Sequence, residues 1–352
     1  MIVTLTLNPS LDRTIEIEEL VRGDVIRATS GSIEPGGKGV NVSRALLANG
    51  VPSRALVTCG GDEGGQLIRL LRSERVDVCA LPISGSTRSN ITLAEPDGTV
   101  TKINEPGPEL SATEFSAITD QVLTEAGAGG CVVVCGSIPP GLPTQEFLSL
   151  CERVVAAGDR LVVDTSGPAL HAAATAGASL VKPNREELAQ VVGRPLASFT
   201  DVVDAAQELR SWGAGAVLAS LGADGAVLVD ANGVIAGAAT VARPRSSVGA
   251  GDALLAGFLA AGGAVSIPVA RSGQVEDPES GGQSHHRRNA LSEAVAWGAA
   301  AVSLPGSQMP GPADIRRERV RLHSRLTEAQ PLLSPSLPGS TPPSRCRRSS
   351  PS

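Results

Sequence analysis

The sequence predicts an α/β protein in which a mostly parallel central sheet carries helices on both faces and a small β lid stands off it. Two observations carry the main sheet and the lid. Apolar strand-like runs of six or seven residues alternate with helical patterns along most of the chain, the mark of a parallel sheet buried on both sides. Two other stretches, "RTIEIEELVRGDVIRAT" (13–29) and "NITLAEPDGTVTKINEPGP" (90–108), alternate polar and apolar residues instead, as strands with one wet face do.

In chain order the strand-like runs are "IVTLTL" (2–7), "RALVTCG" (54–60), "CVVVCG" (131–136), "RLVVDT" (160–165), "SLVKPN" (179–184), "AVLASLG" (216–222) and "GAVLVD" (225–230). Helical stretches fall at 41–49, 64–73, 112–126, 144–157, 185–192, 201–212, 253–264 and 290–303. The lid strands are expected at about 13–29 and 90–104, with the Pro-Asp-Gly of 96–98 as a hairpin turn, and are read as antiparallel. The segment 266–289 is polar, Gly/Ser/Pro-containing and without period, and reads as a surface insertion. His285 and His286 within it are read as solvated residues, since adjacent positions do not share a face. From about 329 to 352 a Pro/Ser/Arg-rich stretch reads as a disordered tail, which leaves 1–328 as one domain.

The 352 residues are 41% hydrophobic but only 2% aromatic, so the core is built from Ala, Val, Leu and Ile. A net charge of −6 gives no electrostatic footprint for nucleic acid, and the scarcity of aromatics leaves little for base stacking. No apolar run reaches membrane-spanning length, and "MIVTLTLNPS" lacks the features of a signal peptide. The six cysteines follow no disulfide or zinc spacing, and Cys131 and Cys135 read as small core hydrophobes. The expectation is a cytoplasmic protein with neither nucleic acid nor membrane as partner.

Two glycine-rich pieces carry chemistry. In "SSVGAGDALLAGF" Asp252 follows Gly249, Ala250 and Gly251 at the start of an Ala/Leu-rich helix. The first amides of a helix lack internal partners and favour anions. Asp252 is thus either an ordinary capping residue or a carboxylate beside an anion site. In "EPGGKGVNVSRAL" Gly36, Gly37 and Gly39 open another helix, with Lys38 and Asn41 projecting. That is either a flexible turn or a cradle for a hydroxylated or phosphorylated ligand. Neither piece is a P-loop, because Gly39 follows Lys38, and neither is a dinucleotide fingerprint, because Leu254 stands where the third glycine belongs.

Eight segments in order, "NPSLDRT", "GGKGVNVSRAL", "TRSN" (87–90), "CGSIPPGLP" (135–143), "VVDTSGPAL" (162–170), "VKPNREEL" (181–188), "SLGADGA" (220–226) and "VGAGDALLAGF" (248–258), resemble the ribokinase-like sugar kinases of the phosphofructokinase B family. "LNPSLDRT" and "INEPGP" look most like the bacterial 1-phosphofructokinases within it. The resemblance implies ATP-dependent phosphorylation of fructose 1-phosphate to fructose 1,6-bisphosphate, with Mg²⁺ accompanying ATP. Asp252 would be the base, for which an ordinary or lowered pKa is adequate, and the amides of Gly249, Ala250 and Gly251 the anion hole. Asp12, Gly37, Lys38, Asn41, Asn90 and Ser137 would line the sugar. Arg88 would grip its phosphate, as a planar fork suits that group. Some relatives carry a Lys two residues after the Asn of "TRSN", where Thr92 stands here, so Lys102 or Lys38 would supply a second cation. Lys182, Asn184, Ser220, Gly222 and Gly225 would border ATP. Glu187 would act on Mg²⁺ mostly through water, and Asp164 would support from behind. The segment 266–289 falls where the family shapes the adenine pocket. A tagatose-6-phosphate or fructose-6-phosphate kinase, a nucleoside or ribose kinase, and a catalytically silent sugar-phosphate-binding regulator are the alternatives. An exposed lid edge could pair with a second copy as a homodimer.

Overall fold

The structure is a computed structural model that describes residues 1–264, 280–323 and 332. In chain order its elements are β1 (Ile2–Thr6), β2 (Ser10–Glu16), β3 (Ser30–Gly36), α1 (Lys38–Ala48), β4 (Ser53–Cys59), α2 (Gly61–Ser73), β5 (Val78–Pro82), β6 (Arg88–Ala94) and β7 (Val100–Asn104). There follow α3 (Ala112–Ala126), β8 (Cys131–Cys135), α4 (Thr144–Ala156), β9 (Arg160–Asp164), α5 (Gly167–Thr175), β10 (Leu180–Val181), α6 (Arg185–Val192) and α7 (Phe199–Ser211). The chain continues with β11 (Ala216–Ser220), β12 (Ala226–Asp230), β13 (Gly233–Ala239), α8 (Ala250–Ala260), α9 (Ser280–Val302) and β14 (Val320–His323).

Ten strands form one sheet in the order β14-β13-β12-β11-β10-β9-β8-β1-β4-β5. Every pair from β5 to β11 is parallel, and β12, β13 and β14 add an antiparallel edge. Burial on both faces explains the near-continuous apolar strands. In β8, Val132 and Val134 face the layer containing Phe115, Phe147 and Leu150 from α3 and α4. Val133 and Cys135 face Val42, Leu254 and Leu291 from α1, α8 and α9. Cys131 and Cys135 are thus core residues, and burial pushes the Cys131 thiol up to about 12.

The chain builds outward from β1 to β4 and β5, then returns to place β8, β9, β10 and β11 on β1's other side. The switch in direction lies between β1 and β8. In sheets of this kind the crevice beyond the strands' carboxyl ends at that point is where ligands bind.

The lid is a four-stranded sheet in the order β3-β2-β6-β7. Its centre departs from the expected antiparallel arrangement, because β2 pairs with β6 in parallel, Asp12 opposite Asn90. β2 follows β1 and β6 follows β5, and those two strands of the main sheet run the same way, so both chains leave it in the same direction. The stretch 17–29, read as strand, is mostly irregular, and the second lid strand is β3 instead. Gly23 at φ +91° turns the chain inside that stretch. The polar tail of the 266–289 reading also changes: α9 starts at Ser280, and His285 and His286 are exposed on it. Residues 266–279 lie outside the described residues, as does the 329–352 stretch apart from Leu332, whose N–H donates to the Ala197 carbonyl.

Candidate active site at the carboxyl ends of the strands

Asp252 occupies the first turn of α8, which is buried along almost its whole length. Gly249 caps that helix at φ +74°, a conformation glycine adopts without strain, and no side chain caps it. A Cβ on Gly249 would lie 2.6 Å from the Met309 methyl. The expected anion hole is narrowed: the Ala250 N–H donates to the Ser247 carbonyl at 3.4 Å, while among the described residues the Gly249 and Gly251 amides carry no such bond, which favours an anion there. Asp252 is only 6% exposed, and its Oδ2 accepts a 2.8 Å hydrogen bond from Asn41 Nδ2. Burial, and then the charge of Asp164, push its pKa up to about 6, against the bond from Asn41 and the charges of Lys38 and Lys182. An ordinary or lowered value would have been adequate for the role; the side chain is instead buried rather than in an open cleft, and desolvation disfavours its charged form.

Beside it lies a chain of ion pairs. Asp164, at the end of β9 and fully buried, receives Lys38 Nζ at 2.8 Å on one oxygen and Lys182 Nζ at 2.9 Å on the other. Lys38 also reaches Glu187 Oε1 at 3.2 Å. Burial alone would raise the Asp164 pKa, but the two ammonium groups win and hold it below the usual carboxylate range. Burial likewise opposes the Lys38 charge, and Asp164 and Glu187 outweigh it and raise its pKa. The Lys182 ammonium lies 3.4 Å from where a Cβ on Gly251 would sit, so a cation flanks the bare helix start.

Asn184 and Glu187 form a reciprocal cap on α6: the Glu187 N–H donates to Asn184 Oδ1, and the Asn184 N–H donates to Glu187 Oε2, each at 2.8 Å. The capping reading is what the structure shows, and the same carboxylate also accepts from Lys38. Ser220 ends β11 next to this cap, in a parallel bridge with Asn184. Gly222 and Gly225, both at positive φ, make the turn from β11 into β12.

On the lid side, Asp12 Oδ1 accepts from Ser10 Oγ at 2.7 Å and from Asn90 Nδ2 at 3.0 Å. Gly36 passes so close that a Cβ there would lie 2.5 Å from the Asp12 carboxylate. Gly37, at φ +127°, and Gly39 pack on Thr6 at the end of β1, which lets α1 start against the sheet. Arg88 Nη1 donates to the Glu105 carbonyl at 2.9 Å and Nη2 to the Asn8 carbonyl at 3.1 Å. Arg88 lines a cavity of about 460 Å³ with Thr87, Ser89, Glu105 and Pro106. Asn8 Nδ2 donates to Ser137 Oγ at 3.2 Å, which ties the end of β1 to the loop after β8.

The structure therefore joins Asn41 and Asp252 directly, and Asp12 with Asn90. It places Lys38 with Asp164 and Glu187, and Lys102 exposed on β7 opposite Thr92. Sequence reasoning missed Asn8, Met309 and Arg44. Asn8 carried a signal, a polar residue just past an apolar strand, whereas Met309 and Arg44 reach the site only through the fold.

An aspartate beside bare helix amides, flanked by paired lysines at the switch point of a doubly wound sheet, is the layout of a phosphoryl-transfer enzyme. Residues 5–313 match the pfkB family of carbohydrate kinases, and the chain belongs to that family. It is 36% identical to the 1-phosphofructokinase of Bacillus subtilis strain 168 over 74% of this chain and 85% of that one. It is also 36% identical to the ATP-dependent 6-phosphofructokinase isozyme 2 of Escherichia coli K12 over 78% of this chain and 88% of that one. The crystal structure of phosphofructokinase-2 from Escherichia coli in complex with potassium superposes with a TM-score of 0.79 at 32% identity, covering 89% and 96% of the two chains.

Proposed function

We propose that the chain transfers the terminal phosphoryl group of ATP to the free primary hydroxyl of fructose 1-phosphate. The observation that carries this reading is Asp252, held by Asn41 at 2.8 Å in the first turn of a helix that starts at Gly249 with no side-chain cap. The sugar hydroxyl donates to Asp252. As its oxygen bonds to the terminal phosphorus, the bond from that phosphorus to the bridging oxygen breaks, ADP departs, and the hydroxyl proton ends on Asp252. The transition state is loose, so positioning and charge stabilisation dominate over base strength. The amides of Gly249 and Gly251 face the charge on the transferring group, with Lys182 beside Gly251. Asp12 and Asn90 hold sugar hydroxyls, and Arg88 the phosphate already present.

Among the described residues no group of three or more His, Cys, Asp or Glu side chains is arranged to hold a metal ion. Mg²⁺ would come with ATP, and the residues here would hold it mostly through water. Glu187 fits that role, because its ionised carboxylate has about four acceptor positions and accepts here from the Asn184 N–H and Lys38. When bound, the ion neutralises phosphate charge.

The choice of fructose 1-phosphate is supported by the Bacillus subtilis relative, and the Escherichia coli isozyme supports fructose 6-phosphate as the second reading. Coupled ADP release with fructose 1-phosphate, fructose 6-phosphate, tagatose 6-phosphate, fructose and ribose tests both. We expect kcat/KM for fructose 1-phosphate to lead by at least about tenfold, or about 1.4 kcal/mol. A lead for fructose 6-phosphate replaces the substrate, and no ADP release from any sugar leaves a binding regulator. We place the enzyme in the cytoplasm, and no described helix is long and apolar enough to cross a membrane.

A further inference from the structure

Arg44 lies three residues after Asn41 on α1, so the two side chains project from one face of the helix. Its Nε and Nη2 donate to the two carboxylate oxygens of Glu74, at 2.6 and 3.2 Å. Glu74 is the residue that closes α2. This two-pronged bond fixes the plane of a guanidinium whose side chain is only 11% exposed. The remaining nitrogen, Nη1, turns inward, 3.5 Å from Asn41 Oδ1 and 3.4 Å from the Ser307 carbonyl.

An asparagine amide can be turned end for end, and its neighbours decide which way it points. A guanidinium has only donors and an ionised carboxylate only acceptors. Between Arg44 and Asp252 the Asn41 amide satisfies both in one sense only, oxygen toward Arg44 and nitrogen toward Asp252. Turned the other way, it would put a carbonyl oxygen against the carboxylate and an amide against the guanidinium.

We infer that Arg44 is a positioning residue for phosphoryl transfer, acting through Asn41 to keep an amide donor on Asp252. The same Nη1 holds the Ser307 carbonyl, and Ser307 Oγ donates to Glu34 on the lid strand β3. Two residues further on, the Met309 methyl packs over Gly249. One guanidinium thus steadies the partner of the base and the loop that covers the anion hole. The inference rests on Asp252 being the base.

The test is a double-mutant cycle on kcat, measured with ATP and the best sugar phosphate at a temperature where every variant is folded. Arg44→Gln is expected to lower kcat about 10- to 100-fold while the KM for ATP changes less than about twofold. Arg44→Lys should recover only part, because an ammonium cannot hold Glu74 and Asn41 at once. Glu74→Gln keeps Arg44 but loosens its anchor, and should give a smaller loss. In an Asn41→Ala background, Arg44→Gln should add little, since the amide it orients is gone. Multiplicative losses at positions 44 and 41, or unchanged turnover in Arg44→Gln, would overturn the positioning role. Asp252→Asn is run alongside: wild-type turnover in that variant removes the base itself, whereas independent losses at 44 and 41 remove only Arg44.

Discussion

Asp252 ionises at about pH 6 because burial disfavours its charge. If Asp252 is the base it must be unprotonated, and kcat should then fall as pH drops through about 6. Asp252→Asn keeps the shape and can still accept from Asn41, and its kcat should be at least about 10²-fold lower. For stability the sign is opposite. The folded pKa lies above the unfolded value near 3.9, so the stability contributed by this site is present below that value and lost as pH rises through about 6. Asp252→Asn should therefore melt higher than the parent above pH 6, with the gap closing below about pH 4. Differential scanning calorimetry across pH 4–8 reads this, and a lower Tm for the variant at pH 7 would show that the charge is better compensated than its burial implies. Arg88 is a second case at this scale. If it holds the substrate's phosphate, Arg88→Ala should raise the KM for the sugar phosphate about 10-fold or more and leave that for ATP nearly alone. Unphosphorylated fructose should lose much less, and equal losses for the two sugars would assign Arg88 only to holding Glu105 and Asn8.

At the level of elements, two joints control the geometry. The first is the contact between the 303–311 loop and the start of α8. Gly249→Ala should reduce kcat, because its Cβ would meet the Met309 methyl at 2.6 Å and its φ is +74°. Met309→Ala added to it should restore part of the rate, since the clash is relieved while the cost of positive φ, about 1–2 kcal/mol, remains. Full restoration would leave backbone strain without a role there. The second joint holds α9. Arg287, 6% exposed, donates to Asp230 Oδ2 at 2.7 Å and to the carbonyls of Asn232 and Gly233. This ties the early part of α9 to the β12–β13 hairpin. Arg287→Ala leaves Asp230 buried without its cation and should cost about 3–5 kcal/mol. Urea unfolding reads the loss, and a change under 1 kcal/mol would mean that water replaces the guanidinium.

At the scale of the whole molecule, the lid is where most of the exposed large hydrophobic side chains among the described residues gather. Val21, Val25, Val100 and Ile103 are large hydrophobic residues exposed on it or on the irregular stretch between β2 and β3, with Val25 at 81%. The lid's outer strands β3 and β7 also leave ladder positions open. We propose that a second copy covers this surface, because unpaired edges with exposed apolar side chains invite pairing. Sedimentation velocity should show a dimer that Val25→Asp with Ile103→Asp converts to monomer. A parent chain that is monomeric at micromolar concentration would remove the proposal.

The sequence by itself determined the layered architecture, because strands buried on both faces must be apolar without a break and helices covering them must not be. Helices α3 and α6 fall where their capping residues Ser111 and Asn184 place them, since a cap is a local interaction written within four residues. Asp252 and its glycines were legible for the same reason. Other features were decided by residues far apart in the chain. The parallel pairing of β2 with β6 follows from the direction in which the main sheet releases them. β13 and β14 had no clear pattern of their own, and pairing at the sheet edge makes them strands. The Asp164 ion pairs join residues 38, 164, 182 and 187, and the 2.8 Å bond between Asn41 and Asp252 spans 211 positions. The pKa of the base depends on that assembly, because dehydration and neighbouring charge exist only once the chain has closed around it.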